Sequence, residues 1–318
     1  MLYSLYGYFQ SMSPGSEKAY FELITGSVLF GLMGVFVDYL RAVPTGPMIF
    51  YKQFFGLISL FVFIILTGKL SQIIPRRKKK YILLLGFINT CTIFSYFTCI
   101  KYTSFSVAIL MLYTAPMYVT LLSPIVLKEK ITRKGVVALI LSLTGLLFIV
   151  DMENVIAGLN LGLYGGSGYL IGIAAGILSG FSFGSEIVTI RYIKDDYSSV
   201  ALLFWYTFIG VILLIPLSGG FPESVIIDNM PMLIFFGVIN TALAAVLYVS
   251  GISQIEAQKG SILALLEPVS GIFFDITIVH TPLIVDTVIG CVFILIGAYV
   301  AVMEKSPKVF GKYFKIQI

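Results

Sequence analysis

Two ionisable side chains stand inside long apolar stretches of this chain. Glu267 comes directly before Pro268, and Lys52 lies in the run MIFYKQFF. A carboxyl group held away from water can bind and release a proton near physiological pH. Glu267 is therefore the candidate proton-coupling residue, and a structural carboxyl paired with a lysine is the alternative. Lys52 is a candidate ligand for a substrate carboxylate, and snorkelling toward the membrane surface is its alternative.

A repeated pentapeptide supplies further polar groups. GFINT occupies residues 86–90 and GVINT residues 237–241. Asn89 and Tyr96 are seven residues apart, about 20° from eclipsed on a helix, so both can line one face. Asn240 and Tyr248 are eight apart and less well aligned. All four are candidate substrate-binding residues, with hydrogen bonding between helices as the alternative for the asparagines.

Aromatic residues complete the candidate site. Tyr113 and Trp205 lie within apolar stretches, where they can form the wall of a cavity for an organic solute. Glu186 is expected to pair with Arg191 or Lys194, near the end of the same stretch.

Enzymatic motifs are missing from the sequence. The single histidine is His280, and there is no HExxH, GxSxG, Asp-rich metal cluster or GxxxxGK[ST] loop. No catalytic residue, metal or cofactor is expected, and ATP-driven transport would need a separate subunit.

The elements that position these residues follow from composition. Of the 318 residues 58% are hydrophobic and 12% charged, and the mean hydropathy is +0.99. A bilayer core about 30 Å thick needs about 20 apolar residues in a helix. Ten such stretches predict an all-α integral membrane protein with ten transmembrane helices; they cover residues 21–40, 46–67, 81–100, 104–126, 134–151, 168–190, 198–217, 231–251, 258–279 and 283–303.

Basic residues set the expected orientation. With a cytoplasmic N-terminus, 18 of the 21 lysines and arginines fall on the cytoplasmic side. This predicts a multi-pass protein of the cell membrane with both termini in the cytoplasm, Lys78 and Lys312 inside, and Asp151 and Glu223 outside. The run RRKKK at residues 76–80 is interpreted as a topology anchor, with binding of anionic lipid headgroups as the alternative. The net charge of +5 gives no reason to expect nucleic acid as a partner.

The two halves of the chain match each other. A shift of 152 residues sets Pro116 on Pro268 and Gly145 on Gly297, while the asparagines of the pentapeptides differ by 151. One inserted residue in the third or eighth helix is therefore required. Five helices per half is an odd number, so the sequence predicts two inverted five-helix repeats with a substrate site near the midplane.

Residues 108–150, AILMLYTAPMYVTLLSPIVLKEKITRKGVVALILSLTGLLFIV, resemble the drug/metabolite transporter superfamily, in its EamA-like ten-helix branch. Pro116, Glu129 and Gly145 match positions of that family. The resemblance implies a cytoplasmic tail over 1–20, one EamA-like repeat over 21–151, an inverted one over 152–303 and a cytoplasmic tail over 304–318. The chain departs from the family pattern at Lys52, often Arg, and at Glu267, usually small or apolar. It departs again at Thr281, the second-half counterpart of Glu129.

These observations favour a secondary transporter that exports a small organic metabolite, such as an amino acid, by alternating access of the two repeats, with proton coupling. A membrane-embedded enzyme, a channel and a lipid-interacting scaffold are the alternatives. The expected partners are the small-molecule substrate and the lipid bilayer, and the protein is expected to be a monomer or a homodimer.

Overall fold

Ten helical segments follow one another in the computed structural model, which describes residues 14–75, 77–150, 156, 167–220 and 222–303. Within these residues nine segments are long and apolar enough to cross a bilayer. The remaining one, α5, has 17 residues. In chain order they are α1 Glu17–Tyr39, α2 Thr45–Leu66, α3 Lys79–Tyr102, α4 Phe105–Val126, α5 Arg133–Ile149, α6 Gly168–Ile193, α7 Ser199–Leu217, α8 Glu223–Gln254, α9 Ala257–Val279 and α10 Val285–Val302.

The predicted all-α membrane fold is confirmed, and each predicted stretch overlaps one helix. The largest difference is α8, which begins at Glu223 rather than at residue 231 and carries Pro231 inside its first piece. The carboxylate of Glu223 in its first turn interacts favourably with the N-terminal end of the helix dipole. Some predictions concern residues outside the described part of the chain. These residues are Arg76, Asp151, Lys312, residues 1–13 of the N-terminal tail and the C-terminal tail 304–318.

The second pentapeptide lies in an unusual part of α8. Residues Gly237–Ala244 form a π-helical segment, whereas GFINT lies in the regular α-helix α3. A π-helical turn accommodates one extra residue without ending the helix and is common at functional sites. The inserted residue that the sequence requires is therefore absorbed as a wider turn between Asn240 and Tyr248, which brings both onto the inner face of α8.

Helices α4 and α9 are each broken near their middle. Their first pieces are Phe105–Leu112 and Ala257–Ala264, whose bounds differ by the same 152 residues. Each piece ends four residues before a proline, Pro116 or Pro268. Proline cannot donate to the carbonyl four residues back and its ring clashes there. The two breaks therefore have one cause, and they lie next to Tyr113 and Glu267.

Helices α5 and α10 pack against each other along small residues. A Cβ on Gly145 would lie 2.5 Å from the carbonyl oxygen of Gly290, and a Cβ on Gly297 would lie 2.8 Å from that of Ala138. The later residue of α5, Gly145, contacts the earlier residue of α10, Gly290, and the earlier Ala138 contacts the later Gly297. The two helices therefore run antiparallel. The 152-residue shift relates Gly145 to Gly297 and Ala138 to Gly290. Each of the two contacts is therefore the counterpart of the other.

Substitution of Gly145 by alanine is expected to destabilise the protein. The new Cβ would overlap the backbone of α10, and overpacking of this kind costs about 1–3 kcal/mol. Gly271→Ala is the matched control, since its Cβ would lie 3.5 Å from the nearest atom. Thermal unfolding in detergent should show a midpoint a few degrees lower for Gly145→Ala alone. Equal midpoints for the two variants would contradict this packing.

The glycines that begin the pentapeptides also serve close contacts. A Cβ on Gly86 would lie 2.6 Å from the side chain of Ile209 in α7, and one on Gly237 would lie 2.7 Å from the backbone nitrogen of Gly56 in α2. Each pentapeptide thus brings a neighbouring helix close to the turn that carries its asparagine. The asparagines are thereby placed between helices, away from the lipid-facing surface.

Candidate functional site

Polar side chains of seven helices meet near the middle of the bundle. Two are glutamates, one is a lysine, two are asparagines and four are tyrosines. We call this set the central cluster: Lys52 of α2, Asn89 and Tyr96 of α3, Tyr113 of α4, Glu186 of α6, Tyr206 of α7, Asn240 and Tyr248 of α8 and Glu267 of α9. Within the described residues no group of three or more His, Cys, Asp and Glu side chains is placed to hold a metal ion.

One side of the cluster is built around Lys52. Its Nζ donates a hydrogen bond of 3.1 Å to Oδ1 of Asn240 and lies 5.1 Å from the ring centroid of Phe236. The carboxyl group of Glu267 lies close enough to Tyr113 and Lys52 to interact electrostatically with both. Lys52 therefore points inward, although outward snorkelling was the alternative interpretation. A cation, an amide and a carboxyl group share this side.

The other side of the cluster is built around Glu186. Asn89 donates from Nδ2 to both carboxyl oxygens of Glu186, at 3.2 and 3.1 Å. The expected pairing of Glu186 with Arg191 or Lys194 is wrong. Arg191 lies five residues further along α6, about 140° around the helix, and it binds Glu129 instead. Asn89 lies at the same depth on α3, and its side-chain amide was the feature of the sequence that could have placed Glu186 in the site.

Two tyrosines connect the sides. Tyr248 interacts electrostatically with both Glu267 and Glu186, and Tyr206 with Glu186 and Tyr248. Tyr206 was not among the candidates from the sequence, because nothing there separates an inward tyrosine from the many interfacial ones. Tyr96 lies near Glu267. Tyr248 therefore lies within electrostatic range of both carboxyl groups.

Several polar atoms of the cluster have no hydrogen-bond partner among the described residues. They are the hydroxyl of Tyr248, Nδ2 of Asn240 and Oδ1 of Asn89. Asn240 is 2% exposed and Tyr248 is 6% exposed. A buried polar group without a partner costs about 1–3 kcal/mol. These atoms are therefore available to a polar ligand that enters the cluster.

Trp205 does not join the central cluster. Its indole Nε1 donates a 2.6 Å hydrogen bond to the carbonyl of Ile73, in the 3₁₀ turn Leu70–Ile73 between α2 and α3. This bond ties α7 to that turn at one end of the bundle.

A second polar network closes one end of the bundle. Arg191 of α6 donates to Oε1 of Glu129 from Nε at 3.1 Å and from Nη2 at 2.5 Å, and from Nη1 to the carbonyl of Ser253 at 2.9 Å. The amide of Ala257, which begins α9, donates to Oε2 of Glu129 at 2.7 Å. We call Glu129, Arg191, Ser253 and Ala257 the basic-end seal, since the basic residues 77–80 lie at this end. Helices α6, α8 and α9 and the loop between α4 and α5 converge on it.

The two ends of the bundle are closed to different degrees. In Ala257–Ala264, at the basic end, every residue is buried. In its counterpart Phe105–Leu112, at the opposite end, only Val107 and Ala108 are buried. The position equivalent to Glu129 under the 152-residue shift is Thr281, which is exposed. The central cluster is thus sealed more tightly on its basic side.

Comparison with known proteins gives a consistent result. The model of the EamA-like transporter family matches the chain twice, over residues 17–151 and 170–303. An uncharacterized transporter of Archaeoglobus fulgidus is 28% identical over 89% of this chain and 95% of its own length. The uncharacterized transporter YoaV of Bacillus subtilis is 25% identical, over 80% of this chain and 86% of its own length.

A solved crystal structure has the same fold, with a TM-score of 0.75 and 16% identity over 91% of this chain and 99% of that one. The relatives are named transporters, not enzymes. Two family matches, one on each half of a ten-helix membrane bundle, establish that this chain belongs to the EamA-like transporter family.

Proposed function

We propose that this transporter exports a small zwitterionic metabolite, such as an amino acid, across the cell membrane in exchange for protons. The observation that carries the proposal is the central cluster, in which a lysine and two carboxyl groups surround buried polar atoms without partners. Charged groups at this depth in a membrane protein are costly and mark substrate or ion pathways.

The charges of the cluster suit a zwitterion. A substrate carboxylate would accept from Nζ of Lys52 and from the unpartnered Nδ2 of Asn240. A substrate ammonium would donate to Glu267 or Glu186. The tyrosines around them supply apolar ring faces for the rest of the molecule, as small-molecule sites commonly do. Trp205 has no part in this proposal, because its indole is bound to Ile73.

Exchange with protons follows if Glu267 serves both ions. A carboxylate that binds the substrate ammonium cannot hold a proton at the same time, so the two compete for one group. With a proton gradient directed inward, protons arriving from outside displace the substrate there. Glu267 is the proposed site because it lies beside Lys52 and next to the break in α9, and broken helices often form transporter binding sites.

Alternating access is proposed to use the two halves as inverted repeats, residues 21–151 and 152–303. Support comes from α5 and α10, whose antiparallel contacts exchange under the 152-residue shift, and from the equivalent breaks in α4 and α9. The basic-end seal would close the cytoplasmic side in this state and open in the other. Release of the seal and closure of the opposite end would complete the cycle.

Removing Arg191 is expected to open the basic end. Arg191→Ala leaves Glu129 without its cation and frees the carbonyl of Ser253. In a background without Cys91, Cys99 and Cys291, a cysteine at the buried Gln258 should then react several-fold faster with a thiol reagent supplied from that side. Lys194→Ala is the control, since Lys194 only approaches the exposed Asp195 at 3.9 Å. Equal labelling in both variants would contradict a sealing role.

The orientation can be tested on two described residues. Lys78 precedes the first residue of α3, and Glu223 is the first residue of α8. In the proposed topology α3 begins on the cytoplasmic side and α8 on the outer side, so cysteines at these two positions lie on opposite sides of the membrane. In intact cells a membrane-impermeant reagent should label position 223 and leave position 78 unlabelled. Labelling of position 78 from outside would reverse the assignment.

The substrate class can be tested by a thermal-shift screen of the purified protein against amino acids, nucleotides, sugars and phosphorylated metabolites. A bound ligand stabilises the folded state in proportion to the logarithm of its concentration. We expect stabilisation by at least one amino acid and none when its amino or carboxyl group is blocked. Stabilisation by a compound without an ammonium group would contradict the zwitterion assignment.

A further inference from the structure

A groove on the outer surface of the bundle remains outside the transport site. It lies between α3, α4 and α6 and encloses about 470 Å³. Its apolar lining comes from Leu84 and Ile88 of α3, Leu122 and Val126 of α4, and Val188 of α6. Leu84 is 43% exposed, while Val188 is only 3% exposed. The groove thus has a buried floor and an exposed rim.

The two side-chain hydroxyls of α6 that line the groove donate within their own helix. Ser185 donates from Oγ to the carbonyl of Phe181 at 2.8 Å, and Thr189 donates from Oγ1 to that of Ser185 at 2.7 Å. Both bonds stay within α6. The hydroxyls therefore offer no free proton to a polar ligand, and the groove is suited to hydrocarbon.

One end of the groove is cationic. Tyr81 and Tyr192 line that end, with ring centroids 5.1 Å apart. The ammonium group of Lys80 lies 5.3 Å from the Tyr81 ring and that of Lys78 lies 4.4 Å from the Tyr192 ring. Lys78 is also bound to Asp196 at 2.9 Å, and Lys78, Lys79 and Lys80 are all exposed.

We infer that this groove binds one anionic phospholipid, with an acyl chain against Val188 and the headgroup phosphate beside Lys79 and Lys80. From Tyr81 to Ile88 the groove follows about 10 Å of helix α3, from the basic end toward the middle of the bilayer. An apolar groove that ends at fixed ammonium groups has the charge and polarity pattern of such a lipid. This site is independent of the proposed substrate and proton coupling.

The headgroup interaction is tested by native mass spectrometry of the purified protein, titrated with phosphatidylglycerol or with phosphatidylethanolamine of the same acyl chains. We expect wild-type protein to bind phosphatidylglycerol at least about tenfold more tightly. Lys79→Gln/Lys80→Gln should lose this preference, at roughly fivefold per lysine. Lys130→Gln/Lys134→Gln removes the same charge from exposed residues at the same end and should keep it. Equal phosphatidylglycerol affinity in the two double variants would overturn the inference.

The acyl-chain interaction is tested by filling the groove. Thr189→Phe places a ring among the lining residues and should weaken the binding of both lipids several-fold. Thr98→Phe is the matched control, because Thr98 bonds back to Phe94 in its own helix and lies outside the groove. If Thr189→Phe does not fold, Leu84→Asn makes the exposed rim polar and should have the same effect. Binding equal to that of Thr98→Phe would overturn the inference.

Discussion

Replacement of Glu267 by glutamine is expected to abolish pH-driven accumulation of substrate while substrate exchange remains measurable. Glutamine has the shape of a protonated glutamate and cannot release a proton, so the variant is held in the proton-loaded form. Exchange at equal pH on both sides requires no change in protonation, and it persists at lower affinity because Glu186 can still accept from the substrate ammonium. Flux in liposomes should therefore lose its response to an imposed pH gradient, with the fold unchanged in thermal unfolding.

The matched control is Asp286→Asn, which neutralises an exposed carboxyl group in the first turn of α10. It should accumulate substrate as the wild-type protein does. Preserved pH-driven accumulation in a stable Glu267→Gln protein would remove Glu267 as the proton site. Loss of stability together with all activity would instead assign the carboxyl group a structural role, as the partner of Tyr113 and Lys52.

Replacement of Lys52 by methionine is expected to weaken substrate binding about thirtyfold or more. Truncating one member of a buried, hydrogen-bonded charge pair costs about 2 kcal/mol or more, which corresponds to that factor in Kd. The methionine side chain keeps the length of the lysine stem and loses its ammonium group, so Oδ1 of Asn240 loses its donor. Affinity can be measured from the substrate concentration dependence of the thermal shift.

Lys101→Met is the control for this variant, since Lys101 is exposed in the last turn of α3. It should bind substrate as tightly as the wild-type protein. An unchanged affinity in Lys52→Met would place the substrate carboxylate elsewhere. A larger loss in Asn240→Leu than in Lys52→Met would make the amide its main ligand.

The helices were predictable because hydrophobic stretches of bilayer length are distinct when charges lie only at their ends. The start of α8 was missed, since Pro231 in the sequence looks like a helix boundary and only neighbouring helices let a membrane helix continue through it. The one-residue insertion was predicted for the third or the eighth helix. Its π-helical form was not, because nothing in GVINTALA distinguishes a wide turn from a loop.

The site was predictable where one residue was unusual for its surroundings. Lys52 and Glu267 are charged in apolar helices, and Asn89 and Asn240 repeat at equivalent positions, so these four were candidates from the sequence, as were Tyr96, Tyr113 and Tyr248. Glu186 was missed because basic residues near the end of α6 offered a nearer partner in sequence. The choice between partners depends on the direction of each side chain around the helix, which only packing against α3 and α4 decides.

Counterflow in liposomes tests the central claim of alternating access most directly. Vesicles that contain the purified protein are loaded with the amino acid that gives the largest thermal shift and diluted into a trace of the same labelled compound. A carrier that exchanges internal substrate for labelled substrate through one alternating site should accumulate label above its outside concentration, transiently and only in loaded vesicles. Label that enters loaded and empty vesicles at the same rate, as through a channel, would contradict the account.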